Sequence, residues 1–199
     1  MLTSAGVYGG IEIVADPRAV GEPVPSAARA RIDPDTSFGA PITAIEAQRR
    51  AEHSRRLADR QIALEKALPD RSGNGRRAVF SISRQRVWIV SEKGSVRRTY
   101  PVSGSVYDNL KPGRYKVFSR SEHARGIDDS GTMRWFVRFT RGPNAAIGFH
   151  NIPVDKGKQV QTRGQLGTPL SHGCIRQAEP DAKAMWRFAS VGTKVVVTP

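Results

Sequence analysis

Apolar and polar residues change their period along this chain, and the change falls near residue 76. Residues 1–42 show little periodicity and carry Pro17, Pro23, Pro25, Pro34 and Pro41, the composition of a disordered or extended segment. A helical pattern then begins. Thr43 and Glu46 stand at capping-box spacing, where each side chain satisfies an orphan backbone N–H of the other. The spacing predicts a helix over 43–67, rich in Ala, Arg, Glu and Gln. Its apolar face is narrow: Ala47, Ala51, Ala58 and Ile62, with Leu57, Leu64 and Leu68 beside it. Such a face suits a stalk or a weakly docked helix better than a core element. Pro69 and Ser72-Gly73-Asn74-Gly75 end the helix in a linker.

Beyond the linker the period shortens. Ala78–Ser83 and Val87–Val90 read as two short strands around a tight turn, and Val96–Val102 follows the turn at Glu92–Ser95. Arg114–Ser119, Arg134–Thr140 and Ala145–Phe149 alternate or are rich in β-formers, and Val195–Val197 closes the chain. Short strands with turn signals at this spacing predict a mostly β fold, a sandwich or barrel. A helix is expected over Glu179–Ala189, with Pro180 in its first turn and Gly192 just past its end. Residues 151–170 read as a loop, and a loop of that length in a compact domain is usually functional. The expected organisation is thus a disordered 1–42, a helix and linker over 43–75, and a β domain over 76–199.

Charge sharpens this division. Residues 1–75 hold ten Lys/Arg and ten Asp/Glu, whereas 76–199 hold 22 and eight, so the whole net charge of +14 lies in the β domain. Such a field attracts polyanions, whether nucleic acid, an anionic wall polymer or a membrane surface. A nucleic-acid module is disfavoured, because no helix-turn-helix, zinc-finger spacing or RNA-recognition aromatics are visible. No apolar run is long enough to span a membrane. The opening MLTSAGVYGGIEIVADPR has neither the basic nor the apolar region of a secretory signal.

The candidate chemistry centres on Ser171-His172-Gly173-Cys174-Ile175-Arg176, which holds the chain's one cysteine. A lone cysteine is most often a small buried hydrophobe. Here His172 and Arg176 flank it, and a thiol beside proton-accepting or positive groups is expected to ionise more easily. Gly173 admits close backbone approach. Acyl chemistry at the thiol needs a base, for which His150, at the end of a strand, and His172 are the candidates, with His53 and His123 as outsiders. His150, His172 and Cys174 could also ligate zinc, but no Cys-x-x-Cys or His-Glu-x-x-His pattern supports a metal site.

His150, a Gly-containing loop and then Ser171–Arg176 resemble the active-site signature of bacterial peptidoglycan L,D-transpeptidases. The resemblance runs over about residues 77–198. It takes in VFSISRQRVWIV followed by TYPVSG, Lys111-Pro112-Gly113-Arg114-Tyr115, and the closing Val191–Val196. It implies a β-sandwich catalytic domain with one or two short helices. Cys174 would be the nucleophile and His150 the general base, oriented by a main-chain carbonyl such as that of Asn151. His172 and Ser171 would shape the site, and the N–H groups of Gly173 and Cys174 would be oxyanion donors. Arg176 would orient a substrate carboxylate. The resemblance further implies peptidoglycan stem peptides as substrates, carbapenem β-lactams as inhibitors, no metal or organic cofactor, and an extracytoplasmic location at the wall or periplasm. It leaves open whether a second stem, water or a protein amine resolves the thioester. The interval from His150 to Ser171 is longer than is usual in the family.

Overall fold

A computed structural model describes residues 43–127 and 130–199, so the expectation for 1–42 lies outside the described residues. The chain divides into a first unit, Met1–Ala47, and a second, Gln48–Pro199. Helix α1 (Ala44–Lys66) starts at the capping box: the Thr43 N–H donates to Glu46 Oε2 at 3.0 Å and the Glu46 N–H to Thr43 Oγ1 at 3.3 Å. None of its residues is buried, in keeping with its narrow apolar face.

The strands are β1 (Arg77–Ser81), β2 (Arg86–Val90), β3 (Val96–Pro101), β4 (Gly113–Lys116), β5 (Ser119–Arg125), β6 (Thr132–Arg141), β7 (Ala146–Asn151), β8 (Val154–Asp155), β9 (Lys158–Gln159), β10 (Ile175–Gln177) and β11 (Lys194–Thr198), with helix α2 (Glu179–Phe188) before the last. They form two sheets. The first runs β3-β2-β1-β11-β4; the second runs β10-β7-β6-β8-β9, with β5 also paired to β6. Two pairings are parallel, β1 with β11 and β7 with β10. Between the sheets, Phe80, Val87, Ile89 and Val195 of the first join Val137, Phe139, Phe149 and Ile175 of the second in one buried core. Met185 of α2 completes it.

The first sheet is buried on its other face as well. Val79, Trp88, Val90 and Val196 form a second cluster there, with Leu68 packed on it. Burial on both faces is why these strands read as continuous apolar runs rather than alternating ones. The segment after α1 contributes to this cover. Trp88 Nε1 donates to the Lys66 carbonyl at 2.7 Å, and the buried Arg77 donates through Nε to Ser72 O and through Nη1 to Gly75 O, both at 2.7 Å.

Three features differ from the sequence expectation. The strand expected over Arg114–Ser119 is two, because the chain leaves the first sheet after Lys116 and enters the second at Ser119. The whole of β5, SRSEHAR, is largely polar and pairs only with β6, an edge position that periodicity does not reveal. The expected loop over 151–170 contains a hairpin, β8–β9, whose turn residues Lys156 and Gly157 both take positive φ, 47° and 79°. It also contains a single 3-10 turn, Arg163–Gln165.

Cutting the chain just before Arg76 would strip Trp88 and Arg77 of their carbonyl acceptors and uncover Val79 and Val90. A chain beginning at residue 76 should therefore lose about 3 kcal/mol or more of stability, seen as a drop of about 10 °C in melting midpoint. A chain beginning at residue 60 should melt as the full chain does.

Candidate active site

Strand register assembles the site. In the parallel pair, Ile175 lies beside Phe149, Arg176 beside His150 and Gln177 beside Asn151. Phe149 and Ile175 point into the core, so their neighbours His150 and Arg176 face the opposite side of the sheet. One rung earlier, Cys174 falls beside Gly148, and β6 places Arg138 on the other side of that glycine. One row across the sheet therefore reads Arg138, Gly148, Cys174. In the next row Phe136 meets the His150 ring edge-to-face, with centroids 5.3 Å apart, and Arg176 lies beyond it. Cys174 and His150 are diagonal neighbours on adjacent strands. Gly148 is required here, since a Cβ would sit 2.2 Å from the Val137 carbonyl oxygen and 2.8 Å from Arg138 Cα.

A strap formed by residues 103–106 holds the turn that carries Cys174. The Ser103 N–H donates to Arg176 O at 2.9 Å and the Arg176 N–H to Ser103 O at 2.8 Å. The Ser171 N–H donates to Gly104 O and the Val106 N–H to Ser171 O, both at 2.9 Å. Gly104 passes close over the core; a Cβ there would lie 2.8 Å from Phe80 Cζ. Within the turn, Ser171 Oγ donates to the Cys174 carbonyl and accepts from the Gly173 N–H at 3.2 Å. The turn is thus closed by a side chain. Gly173 itself has ordinary negative-φ backbone and room for a Cβ, with nothing nearer than 3.5 Å, so the glycine freedom expected there is needed at Gly148 instead.

His150 is buried, and its Nδ1–H donates to the Asn151 carbonyl at 2.5 Å, because a carbonyl can only accept. That fixes the tautomer and leaves Nε2 as a bare acceptor. Asn151 is anchored in turn: its Oδ1 accepts from the Arg134 N–H at 2.7 Å and its Nδ2 donates to Glu179 Oε2 at 2.8 Å. Gln177, fully buried behind the site, accepts from Tyr100 OH at 2.7 Å. The Cys174 thiol approaches the Ala146 carbonyl at 3.6 Å.

A cavity of about 510 Å³ is lined by Cys174, His150, Arg138, Arg176, His172 and Tyr107, among others. Burial lowers the pKa of His150 to about 4; the Asn151 hydrogen bond opposes this, while Arg176 and Arg138 add to it. Burial raises Cys174 to about 11, against the Gly148 main chain, Arg176 and Arg138, which favour the thiolate. Both groups are therefore neutral at pH 7. The easier ionisation expected from the neighbouring His172 and Arg176 does not occur, because desolvation of the thiolate outweighs both arginines.

Of the four histidines, His150 and His172 reach this cavity. His172 is exposed, its ring 5.8 Å from that of Tyr107 and its carbonyl accepting from Asn109 Nδ2 at 2.6 Å. His53 lies on the exposed α1, and His123 on β5 lines a separate hollow. Among the described residues no three His, Cys, Asp or Glu side chains converge, so His150, His172 and Cys174 do not form a zinc ligand set. Arg138 is a charged cavity residue that sequence reading missed. Its signal is parity: it alternates with Val137 and Phe139, so once β6 is known to flank β7 it must share the face of His150.

The fold is similar to solved L,D-transpeptidases. A crystal structure from Stackebrandtia nassauensis aligns with TM-score 0.52 and 18% identity, covering 67% of this chain and 62% of that one. The enzyme of Mycobacterium smegmatis aligns at 0.51 and 22%, covering 64% and 60%. LdtMt1, solved in complex with imipenem, aligns at 0.51 and 22%, covering 63% and 60%. In sequence, 52 residues are 44% identical to the Bacillus subtilis protein YciB, itself named for an L,D-transpeptidase, covering 25% of this chain and 27% of YciB. The matches thus span less than two thirds of each relative's length. The model of the YkuD L,D-transpeptidase catalytic domain matches residues 75–197, and the chain belongs to that family.

The protonation states are open to direct titration. The 240 nm absorbance difference between the protein and Cys174→Ala should show no thiolate up to about pH 9 and should rise toward pH 11. Replacing Arg176 by Gln should push the thiol higher still, since it removes a charge that favours the thiolate. A thiolate titrating near pH 7 would mean that an ion pair, not a neutral pair, is the resting state.

Proposed function

We propose that Cys174 is the acyl carrier of a peptidoglycan L,D-transpeptidase and that His150 is its general base. The observation that carries this reading is the pairing of a single thiol with a histidine whose Nδ1–H is locked on the Asn151 carbonyl, on adjacent strands above one cavity. The neutral thiol cannot act until its proton leaves, and Nε2 of His150 is the bare acceptor in the site. Cys174 Sγ attacks the carbonyl of the third stem residue, a diaminopimelate, while its proton passes to His150. The oxygen of the tetrahedral intermediate is met by the Cys174 backbone N–H; the Gly173 N–H must first leave Ser171 Oγ, which it holds at 3.2 Å. Collapse expels the terminal D-alanine, which takes the proton from His150. An amine of a neighbouring stem then attacks the thioester, releasing the thiol and forming a 3→3 cross-link.

The family supports peptidoglycan as the substrate, and the imipenem complex of LdtMt1 supports carbapenems as acylating inhibitors. The net charge of +14, all within residues 76–199, suits an anionic wall polymer and an extracytoplasmic setting. Incubation with muropeptides and mass spectrometry test the reading. A thioester on Cys174 followed by a stem dimer supports it; a trimmed monomer would make the enzyme a carboxypeptidase, and a protein-linked stem an attachment enzyme.

Cys174→Ala should keep the fold by circular dichroism and form neither thioester nor dimer. His150→Ala should slow single-turnover acylation by imipenem about a hundred- to ten-thousandfold. His150 must be neutral to accept the proton, so acylation should fall as pH drops through about 4 and stay nearly level from pH 6 to pH 9. In His172→Ala the same pH profile should persist with a smaller loss of rate. If His150→Ala acylates normally while His172→Ala loses the acid limb, the two histidines exchange roles.

A further inference from the structure

Arg138 and Arg176 reach the thiol from two directions. Arg138 lies across Gly148 from Cys174 in the same row, and Arg176 lies two residues along β10 on the same face. Both line the cavity that holds Cys174 and His150. Their anchors are neutral. One terminal nitrogen of Arg138 donates to Ser121 Oγ at 2.9 Å and Ser119 Oγ at 3.3 Å, and its guanidinium carbon sits 4.0 Å from the centre of the Phe136 ring. One terminal nitrogen of Arg176 donates to Leu170 O at 3.0 Å and Gln161 Oε1 at 3.2 Å.

Among the described residues neither arginine has a carboxylate within ion-pair distance, although Arg98 and Arg134 of the same domain pair with Asp181 and Glu122. Two partly buried like charges facing one cavity repel each other and lose hydration, and an anion seated between them relieves both costs. Each guanidinium is pinned through one nitrogen, so its orientation is set while its remaining N–H groups are free for a bidentate contact.

We propose that Arg138, with Arg176, forms a carboxylate subsite beside Cys174 that selects acyl donors bearing a free carboxylate close to the scissile carbonyl. The inference rests on Cys174 being the acyl carrier. Two carboxylates of a stem tetrapeptide meet the description: that of the departing D-alanine, and that on the side chain of a diaminopimelate at the third position. The chemistry that recognises them is the same.

Three synthetic tetrapeptides decide the matter: one with both carboxylates free, one amidated at the C-terminus, and one amidated at the third-residue side chain. For each, kcat/KM for release of the terminal residue is measured with the wild type, Arg138→Gln and Arg138→Lys. The wild type should favour the free peptide over one of the amides by about ten- to a hundredfold, and the amide that suffers names the carboxylate read. Arg138→Gln should shrink that ratio to about threefold or less, and Arg138→Lys should leave it in between. The ratio is internal to each variant, so loss of folded protein does not alter it, and Arg138→Lys serves if Arg138→Gln does not fold. Equal turnover of all three peptides by the wild type, or an unchanged ratio in both variants, overturns the subsite alone. If no peptide and no imipenem acylates Cys174, the proposed function falls and the subsite with it.

Discussion

The parallel pairing of β7 with β10 is the constraint on which the rest of the site depends. Their first paired rung joins Phe149 to Ile175, 26 positions later in the sequence. Their register sets Arg176 beside His150 and brings Cys174 level with Gly148. A slip of one residue would turn every side chain of β10 to the opposite face and send Cys174 into the core. Burial of Phe149 and Ile175 between the sheets prevents that slip. The core does not merely support the site; it selects the register that creates it.

The same packing explains the electrostatics. A thiol and an imidazole held against the second sheet lose water, and desolvation disfavours the charged form of each. The arginines oppose this at the thiol and reinforce it at the histidine. A buried neutral pair with a locked tautomer stores no ion pair in the resting state, so proton transfer is coupled to attack. The chain of contacts from His150 to the Asn151 carbonyl, and from the Asn151 side chain to Glu179 at the start of α2, fixes the ring by joining strand end to helix start.

The first sheet shows what a second buried face demands. Trp88 and Val79 need cover, and the Trp88 N–H needs an acceptor; Leu68 and the Lys66 carbonyl supply them. Residues that read as a linker from their Pro, Ser and Gly content are held by these carbonyl contacts, while α1 before them stays exposed.

Periodicity and local signals were sufficient for the elements whose cause is local. The Thr43 capping box, the strands around Phe80, Trp88 and Val137, and α2 with Pro180 and Gly192 were legible, because caps, turns and alternation act within a few residues. Family resemblance in Ser171–Arg176 and His150 pointed to one cavity. What the sequence could not determine depends on partners distant along the chain. The edge strand β5 is polar, the three-residue β10 exists only through β7 and residue 103, and Arg138 joins the site only because β6 lies beside β7. The direction of the Cys174 pKa was likewise beyond local reading: neighbouring residues favour the thiolate, but burial by the whole fold decides for the thiol.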